Sequence, residues 1–552
     1  MKLYTPYYIY TRARLPLVAL FFLLFSVCTD AQDFGLFSQS SPSPKREMRA
    51  VWLTTLNGLD WPKTRATNSQ SRRQQQQELC QILDQLKALN INTILLQTRI
   101  RGAVIYPSAI EPWDGALTGT IGRDPGYDPL AFAIEEAHRR GMELHAWVVT
   151  IPCFKIAAAK QMGPKSVLKK HPELCRKHAD MYYLDPGLPG TADYLQSICH
   201  EITSNYDVDG IHFDYIRYPE GAASFNDAAT FKKYAAKGQS KASWRRDNIT
   251  RIVRRIYEDT HRLKPWVRIS CSPVGKYADV ARYSSRGWNA RDAVHQDAQG
   301  WLRQGIHDLL FPMMYFDGNH FYPFAADWQE QSSQRFVAPG LGIYFLHPKE
   351  KNWPLSVIIR QLHYLRQQGL AGQAYFRSKF LTDNVKGLYD FLHQDFYAFP
   401  ALPPACTWLD SIVPPIPKNL QMRTTTSGRT ELVWECDERA EASHLRYNVY
   451  ASTSWPVDIS RAENLVATLL PHSHFAFDPI YTALSHLHLA VTAVDRCGNE
   501  SAAAQLSTSD SSSYTPKLDL DANGHVKGLI VRPQTTIEKK EKEAKRKKRR
   551  NR

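Results

Sequence analysis

The strongest constraint on the fold is an alternation of short apolar runs with amphipathic helical stretches from Arg49 to about Ala398. Buried parallel strands read as continuous apolar runs, and a helix between two such runs makes the strands parallel. Eight strand–helix steps predict a (β/α)8 TIM barrel. The predicted strands are residues 50–55, 92–98, 143–150, 210–215, 267–272, 308–315, 336–343 and 372–376. The predicted helices lie around residues 78–89, 130–140, 192–204, 247–263, 293–304 and 356–368.

A doubly wound open sheet is the structural alternative. It usually carries a Gly-rich loop after its first strand, and no such loop occurs here. The predicted barrel spans residues 46–398. The Pro-rich stretch that follows it, at 399–418, is typical of a linker. Short strands with turn signals then predict a small all-β sandwich at residues 419–508, with strands at 431–436, 446–451, 475–478 and 486–495.

The two ends of the chain indicate the compartment. Lys2, Arg12 and Arg14 precede an apolar run at residues 15–27, which predicts a signal peptide at 1–31 and a polar leader at 32–45. Lipid attachment at Cys28 is the less favoured alternative, because Val27 stands where lipoprotein processing requires a small residue. No later segment has the ~18 uncharged apolar residues of a membrane span. We therefore expect an exported protein that is periplasmic, envelope-associated or extracellular.

The formal charge of +15 does not indicate a nucleic-acid-binding protein. Residues 538–552 carry ten Lys and Arg against three Glu, so the low-complexity tail at 509–552 holds much of the excess. We expect this tail to be disordered and to allow peripheral association with the anionic cell envelope. The cysteines form no C-x-x-C pair, and H-E-x-x-H, G-x-S-x-G and Walker patterns are missing, so we expect no metal and no cofactor.

The carboxyl ends of barrel strands are where reactive side chains collect. Asp214 ends the fourth predicted strand, and the residues before it are mostly apolar or aromatic. A carboxylate in that position is partly desolvated, so a cation such as Arg217 or Arg99 has to hold it. The competing interpretation is a structural Asp–Arg pair that closes the barrel end. Asp214 is the first catalytic candidate.

Glycoside cleavage needs two carboxyl groups, one as acid and one as nucleophile or base. Asp317, just past the sixth strand, is the first candidate for the partner of Asp214, and Glu111, in the loop after the second strand, is the next. Asp279 is a third. Each of these acids has the alternative role of an ordinary solvated loop residue.

Aromatic and hydrogen-bonding side chains near the predicted strand ends fit a sugar site. Aromatic faces stack on pyranose rings, and Arg or His side chains bind hydroxyl groups. About half of these aromatic residues are expected to fill the barrel core instead. The predicted substrate-binding residues are Trp52, Arg99, Arg101, Trp113, Trp147, His212, Tyr215, Arg217 and Tyr315.

Five long motifs resemble the glycosyl hydrolase-like 10 family of bacterial cell-envelope proteins. They are RAVWLTT from Arg49, YPS with EPW after Tyr106, GYDPL from Gly126, ELHAW from Glu143 and DGIHFDYIRYP from Asp209. The resemblance implies a barrel glycosidase with Asp214 as the acidic residue of the fourth-strand motif. It also implies relatives that include an outer-membrane enzyme cutting peptidoglycan glycan strands stripped of their stem peptides. The C-terminal segment resembles a fibronectin type III module through LVW at Leu432 and LAVTAVDRCGNES at Leu489.

The leading functional hypothesis is a secreted glycoside hydrolase that acts on an envelope or extracellular polysaccharide by a two-carboxylate mechanism. Peptidoglycan glycan strands are one specific candidate for this polysaccharide. The alternative is a non-catalytic glycan-binding protein on a degenerate barrel, and a second carboxylate facing Asp214 would separate the two. The third hypothesis is a transglycosidase on the same scaffold.

Overall fold

The computed structural model describes residues 43–283, 287–425, 429–436, 444–477, 487–507, 514–520 and 526–533. The predicted signal peptide, Cys28, most of the polar leader and the basic tail lie outside these residues. Within the described ranges, no helix is both long and apolar enough to cross a membrane.

Eight parallel strands form a closed barrel, which confirms the predicted fold class and excludes the open sheet. β1 pairs with both β2 and β8, and β7 bridges β6 and β8, so the sheet has no free edge. Pro312 and Pro339 divide β6 and β7 into two segments each, because proline has no N–H for the ladder. The strands are β1 Met48–Leu53, β2 Thr93–Arg99, β3 Glu143–Val149, β4 Gly210–Asp214, β5 Arg268–Cys271, β6 Leu309–Leu310 with Met313–Met314, β7 Phe336–Val337 with Gly340–Leu341, and β8 Gly372–Tyr375.

The helices between the strands cover the outside of the barrel. They are α1 Ser69–Ala88, α2 Pro129–Arg139, α3 Pro189–Asn205, α4 Lys241–Leu263, α5 Ala298–Arg303, α6 Tyr322–Glu330, α7 Leu355–Gln367 and α8 Ser378–Thr382. The sequence prediction lacked α6, whose aromatic-rich sequence YPFAADWQE has no clear polar face. It also lacked an antiparallel three-stranded sheet inserted after β3, formed by Pro152–Lys155, Cys175–His178 and Met181–Leu184.

Two apolar layers stabilise the barrel. The outer layer packs the strands against the helices and is the largest buried cluster of the molecule. The inner layer fills the barrel and includes Trp52, Trp147 and Phe311. Gly340 in β7 makes room for this filling, because a Cβ there would lie 2.7 Å from the Trp52 ring. A filled interior leaves the carboxyl ends of the strands as the accessible end of the barrel.

The C-terminal segment forms two facing antiparallel sheets. Their strands are β9 Lys418–Thr424, β10 Thr430–Glu435, β11 Arg446–Ser452, β12 Leu465–Leu470, β13 His474–Ala476, β14 His488–Val494 and β15 Ala504–Leu506. One sheet has the order β9-β10-β13 and the other the order β12-β11-β14-β15. Trp434 from the first sheet and Tyr447 from the second meet in the core between them. Tyr514–Leu520 and Val526–Pro533 form a separate antiparallel pair.

Ionic contacts join this sandwich to the amino-terminal end of the barrel. Arg496 donates to Asp207 at 2.6 Å and to Asp209 at 2.9 Å. Asp209 also accepts from His138 at 2.7 Å. Burial opposes ionisation of Asp209, yet His138 and Arg496 hold its pKa well below the ordinary value. Asp209 therefore anchors the sandwich at the end of the barrel opposite Asp214.

Candidate active site

Asp214 lies at the carboxyl end of β4, with only 7% of the residue exposed. Trp147 Nε1 donates to its Oδ2 at 3.2 Å. Ser272 Oγ and the Tyr215 backbone N–H donate to its Oδ1 at 3.1 Å and 2.8 Å. An indole N–H and a backbone N–H can only donate, so the arrangement suits an ionised carboxylate rather than a protonated one.

Two opposing effects set the proton affinity of Asp214. Burial raises its pKa, and the charge of Arg217 is the largest opposing effect, followed by the hydrogen bonds described above. The net result is a pKa above the ordinary value for aspartate. A carboxylate with raised proton affinity is a better base than one in water.

Trp52 and His212 lie inside the barrel, below Asp214. Both are buried, and Trp52 Nε1 donates to His212 Nε2 at 3.1 Å. Because Nε2 accepts this hydrogen bond, the neutral ring carries its proton on Nδ1, which contacts Ser270 Oγ at 3.0 Å. Burial holds the pKa of His212 well below the ordinary value, which keeps the ring neutral. Both side chains are fully buried and pack against Phe311, so the structure gives Trp52 and His212 a packing role in place of the expected sugar contacts.

Arg99 and Glu111 form a fully buried ion pair beside the site. Arg99 Nε donates to Glu111 Oε2 at 2.7 Å, and its Nη2 donates to Oε1 at 2.6 Å. Tyr194 also donates to Oε1, at 2.6 Å. Arg99 and Tyr194 occupy both carboxylate oxygens, so Glu111 is held as a counter-ion. This arrangement does not fit the acid role that the sequence suggested for Glu111. Arg99 also holds the chain directly after β3, because its Nη1 donates to the backbone oxygen of Thr150 at 2.9 Å.

Asp317 lies in the loop after β6, and its side chain is exposed. Two residues earlier in the chain is Tyr315, whose pKa is raised by burial and further by the charge of Asp214. The structure therefore brings the loop of Asp317 to the same end of the barrel as Asp214. Asp279 pairs with Lys276 at 2.5 Å and remains a loop acid.

A cluster of cations and aromatic rings covers one side of Asp214. The Arg217 guanidinium lies 4.7 Å from the Tyr215 ring centroid and 5.6 Å from that of Trp288. The ring of Tyr315 packs against that of Phe376, with 5.4 Å between the ring centroids. Trp113 instead packs on the outer barrel layer. Trp288 could not be predicted from the strand ends, because it lies well past β5 in the chain.

Two site residues have left-handed backbone conformations. Tyr215 has φ of 52° and Arg101 has φ of 94°. Such conformations are costly for residues other than glycine and collect at functional sites. They turn the chain sharply directly after β4 and shortly after β2, which places both side chains at the open end.

A closed parallel barrel with a desolvated carboxylate and aromatic rings at the carboxyl ends of its strands defines a barrel glycosidase. The comparison with protein families agrees with this class, since the model of the glycosyl hydrolase-like 10 family matches residues 47–343. The chain belongs to this family and is a glycoside hydrolase.

Two curated relatives show the extent of the similarity. The chain is 29% identical over 486 residues to the glycosyl hydrolase YngK of Bacillus subtilis (strain 168), covering 84% of this chain and 93% of that protein. It is 37% identical over 297 residues to the glycosyl hydrolase DigH of Escherichia coli (strain K12), covering 50% of this chain and 67% of that protein. Among solved structures, the PgaB (BpsB) glycoside hydrolase domain from Bordetella bronchiseptica has a TM-score of 0.43 and 14% identity, over 63% of this chain and 98% of that one.

Proposed function

We propose that this enzyme is exported and hydrolyses glycosidic bonds in the glycan strands of the bacterial cell envelope, with peptidoglycan strands that lack stem peptides as its substrate. Asp214 carries the proposal, because a buried carboxylate held by three donors at the end of a barrel strand is poised for chemistry on a sugar. The similarity of its motifs to cell-envelope glycosidases supports the substrate class.

In this proposal Asp214 works as the ionised nucleophile or base. Trp147 and Ser272 fix the direction of its two oxygens, and the raised pKa increases its affinity for a proton or for the anomeric carbon. Tyr215 and Tyr315 provide aromatic faces beside the reacting sugar.

Asp317 is the proposed acid that protonates the leaving group. Its loop follows Tyr315, whose pKa is raised by burial and by the charge of Asp214, and an exposed side chain is free to meet a substrate. Glu220 is the competing acid, since it lies 3.6 Å from Arg217 and its side chain is 71% exposed. Variants of the two residues decide between them, because only the true acid is bypassed by a substrate with a good leaving group.

The test is incubation of purified enzyme with denuded peptidoglycan strands and with a panel of neutral polysaccharides. Mass spectrometry of the products should show shorter strands with new reducing ends for the denuded peptidoglycan. Binding of strands without cleavage would instead favour the glycan-binding alternative, and products without an added water would favour the transglycosidase.

The remaining parts of the chain serve location in this proposal. The three- and four-stranded sheets of the sandwich support a fibronectin type III-like module. The basic residues of 538–552 hold the enzyme near anionic envelope polymers, an attraction that salt weakens. Deletion of 538–552 should leave activity on short soluble oligosaccharides unchanged while reducing salt-sensitive binding to isolated envelopes.

A further inference from the structure

Arg217 is a buried cation with unused hydrogen-bonding capacity. Only 4% of the residue is exposed, and its Nε has no hydrogen-bond partner among the described residues. Its ion-pair partner is Glu220, at 3.6 Å, and the Glu220 side chain is 71% exposed. A contact of that length to a solvated carboxylate is weak. Arg217 influences Asp214 by charge, yet no ion pair within 4.0 Å joins the two described side chains.

Arg101 is the second cation that acts on Tyr215. It is half-buried, and its φ of 94° holds it in a turn after β2. Burial raises the pKa of Tyr183, and Arg101 and then Arg217 are the strongest opposing charges there. Both arginines also oppose the rise in the pKa of Tyr215. Both guanidinium groups therefore act on the same two tyrosines, and one of these, Tyr215, directly follows Asp214 in the chain.

The buried Arg217 guanidinium with its unpaired Nε, together with the second guanidinium of Arg101 that acts on the same tyrosines, creates a site for an anion. A guanidinium presents planar paired donors that match a carboxylate, and such charge-assisted hydrogen bonds are strong. Tyr215 and Trp288 lie against Arg217 and offer ring faces for a pyranose. A neutral sugar would leave these donors unmatched, which carries a cost at a buried site.

We propose that Arg101 and Arg217 form a subsite for a carboxylate carried by the sugar next to the cleaved bond. This inference rests on the proposed function and deepens it, because it makes an acidic glycan the preferred substrate. Two acidic sugars share this chemistry: one with a lactyl ether acid and one with a uronic acid. On binding, the sugar carboxylate takes the place of Glu220 beside Arg217.

The experiment compares matched pairs of substrates with the full-length enzyme. One pair is denuded peptidoglycan strands with free lactyl carboxylates and the same strands after amidation. The other pair is a polyuronide and its carboxyl-reduced form. Loss of one charge-assisted contact should lower kcat/KM roughly ten- to hundredfold. We expect that preference in one pair, and the pair that shows it identifies the source of the carboxylate.

Variants assign the preference to the two arginines. Arg101→Gln and Arg217→Gln should each lower the ratio of kcat/KM for the acidic substrate to kcat/KM for its neutral partner, measured for both substrates with the same variant, so that a general loss of rate cancels. Arg217→Lys, which retains the charge, guards against misfolding of the buried variant. Arg303→Gln is the control, because Arg303 lies on α5, where its guanidinium approaches Asp297 at 4.0 Å, and its loss should leave the preference unchanged.

The outcomes separate this inference from the proposed function. Cleavage of the acidic and neutral substrates at equal rates would overturn the carboxylate subsite and leave the hydrolase intact. A preference that survives in Arg101→Gln and in both Arg217 variants would also overturn it. Failure to cleave any of the four substrates would count against the proposed function itself.

Discussion

Substitution of Asp214 by Asn should abolish turnover and leave the fold intact. The variant has nearly the same size, and its Oδ1 can still accept from Ser272 and from the Tyr215 N–H. Its amide nitrogen cannot accept from Trp147 Nε1, so one hydrogen bond at 3.2 Å is lost, which costs about 1 kcal/mol. Loss of a base or nucleophile lowers kcat by roughly 10²- to 10⁴-fold or more.

The stability of the same variant depends on pH in a defined direction. Burial raises the pKa of Asp214 in the folded protein, so ionisation is harder there than in the unfolded chain. The wild type therefore loses stability as the pH rises through that raised pKa, and Asp214→Asn does not. The melting temperature of the variant, relative to that of the wild type, should therefore be higher at pH 7 than at pH 4.

The assay is initial rates on denuded glycan strands at fixed enzyme concentration, together with thermal unfolding at both pH values. Ser270→Ala is a matched control, since Ser270 contacts His212 inside the barrel and not Asp214. Retention of more than about a tenth of the wild-type rate in folded Asp214→Asn would refute the role of this carboxylate.

The other predictions address the neighbours of Asp214. Glu111→Gln breaks a fully buried ion pair and should lower the free energy of unfolding by about 3–5 kcal/mol in denaturant titration, whereas Glu330→Gln in an exposed pair should cost less than about 1 kcal/mol. Arg217→Met removes the charge that lowers the pKa of Asp214, so the acid limb of the pH–rate profile should move to higher pH; an unchanged limb would show that Asp214 is not the group titrating. Asp317→Asn should lose most activity on natural strands but recover the first step on an aryl glycoside, and a variant with wild-type activity on strands would pass the acid role to another residue.

The barrel could be predicted from the sequence because each buried strand is a local apolar run. The carboxyl ends of β1 to β5 and β8 differ from prediction by one or two residues. β6 and β7 are shorter than expected because Pro312 and Pro339 interrupt their ladders. The inserted sheet after β3 was not predicted, because Cys175–His178 is a polar strand without apolar alternation.

The candidate site was only partly predictable, because its contacts join distant segments. The position of Asp214 followed from the end of β4, but the engagement of Glu111 depends on Tyr194, which lies 83 residues further along the chain in α3. Likewise, Trp288 reaches Arg217 only through the fold of the loop after β5. Sequence periodicity tells which residues face the core, and it does not tell which polar side chains meet at the strand ends.

Product analysis is the most direct test of whether the enzyme hydrolyses glycan strands through Asp214. Wild-type enzyme and Asp214→Asn are each incubated with denuded peptidoglycan strands, and the soluble products are measured by mass spectrometry. We expect shorter strands from the wild type, each new end carrying one added water, and intact strands from the variant. Intact strands with both proteins, or equal cleavage by both, would contradict a hydrolase that depends on Asp214.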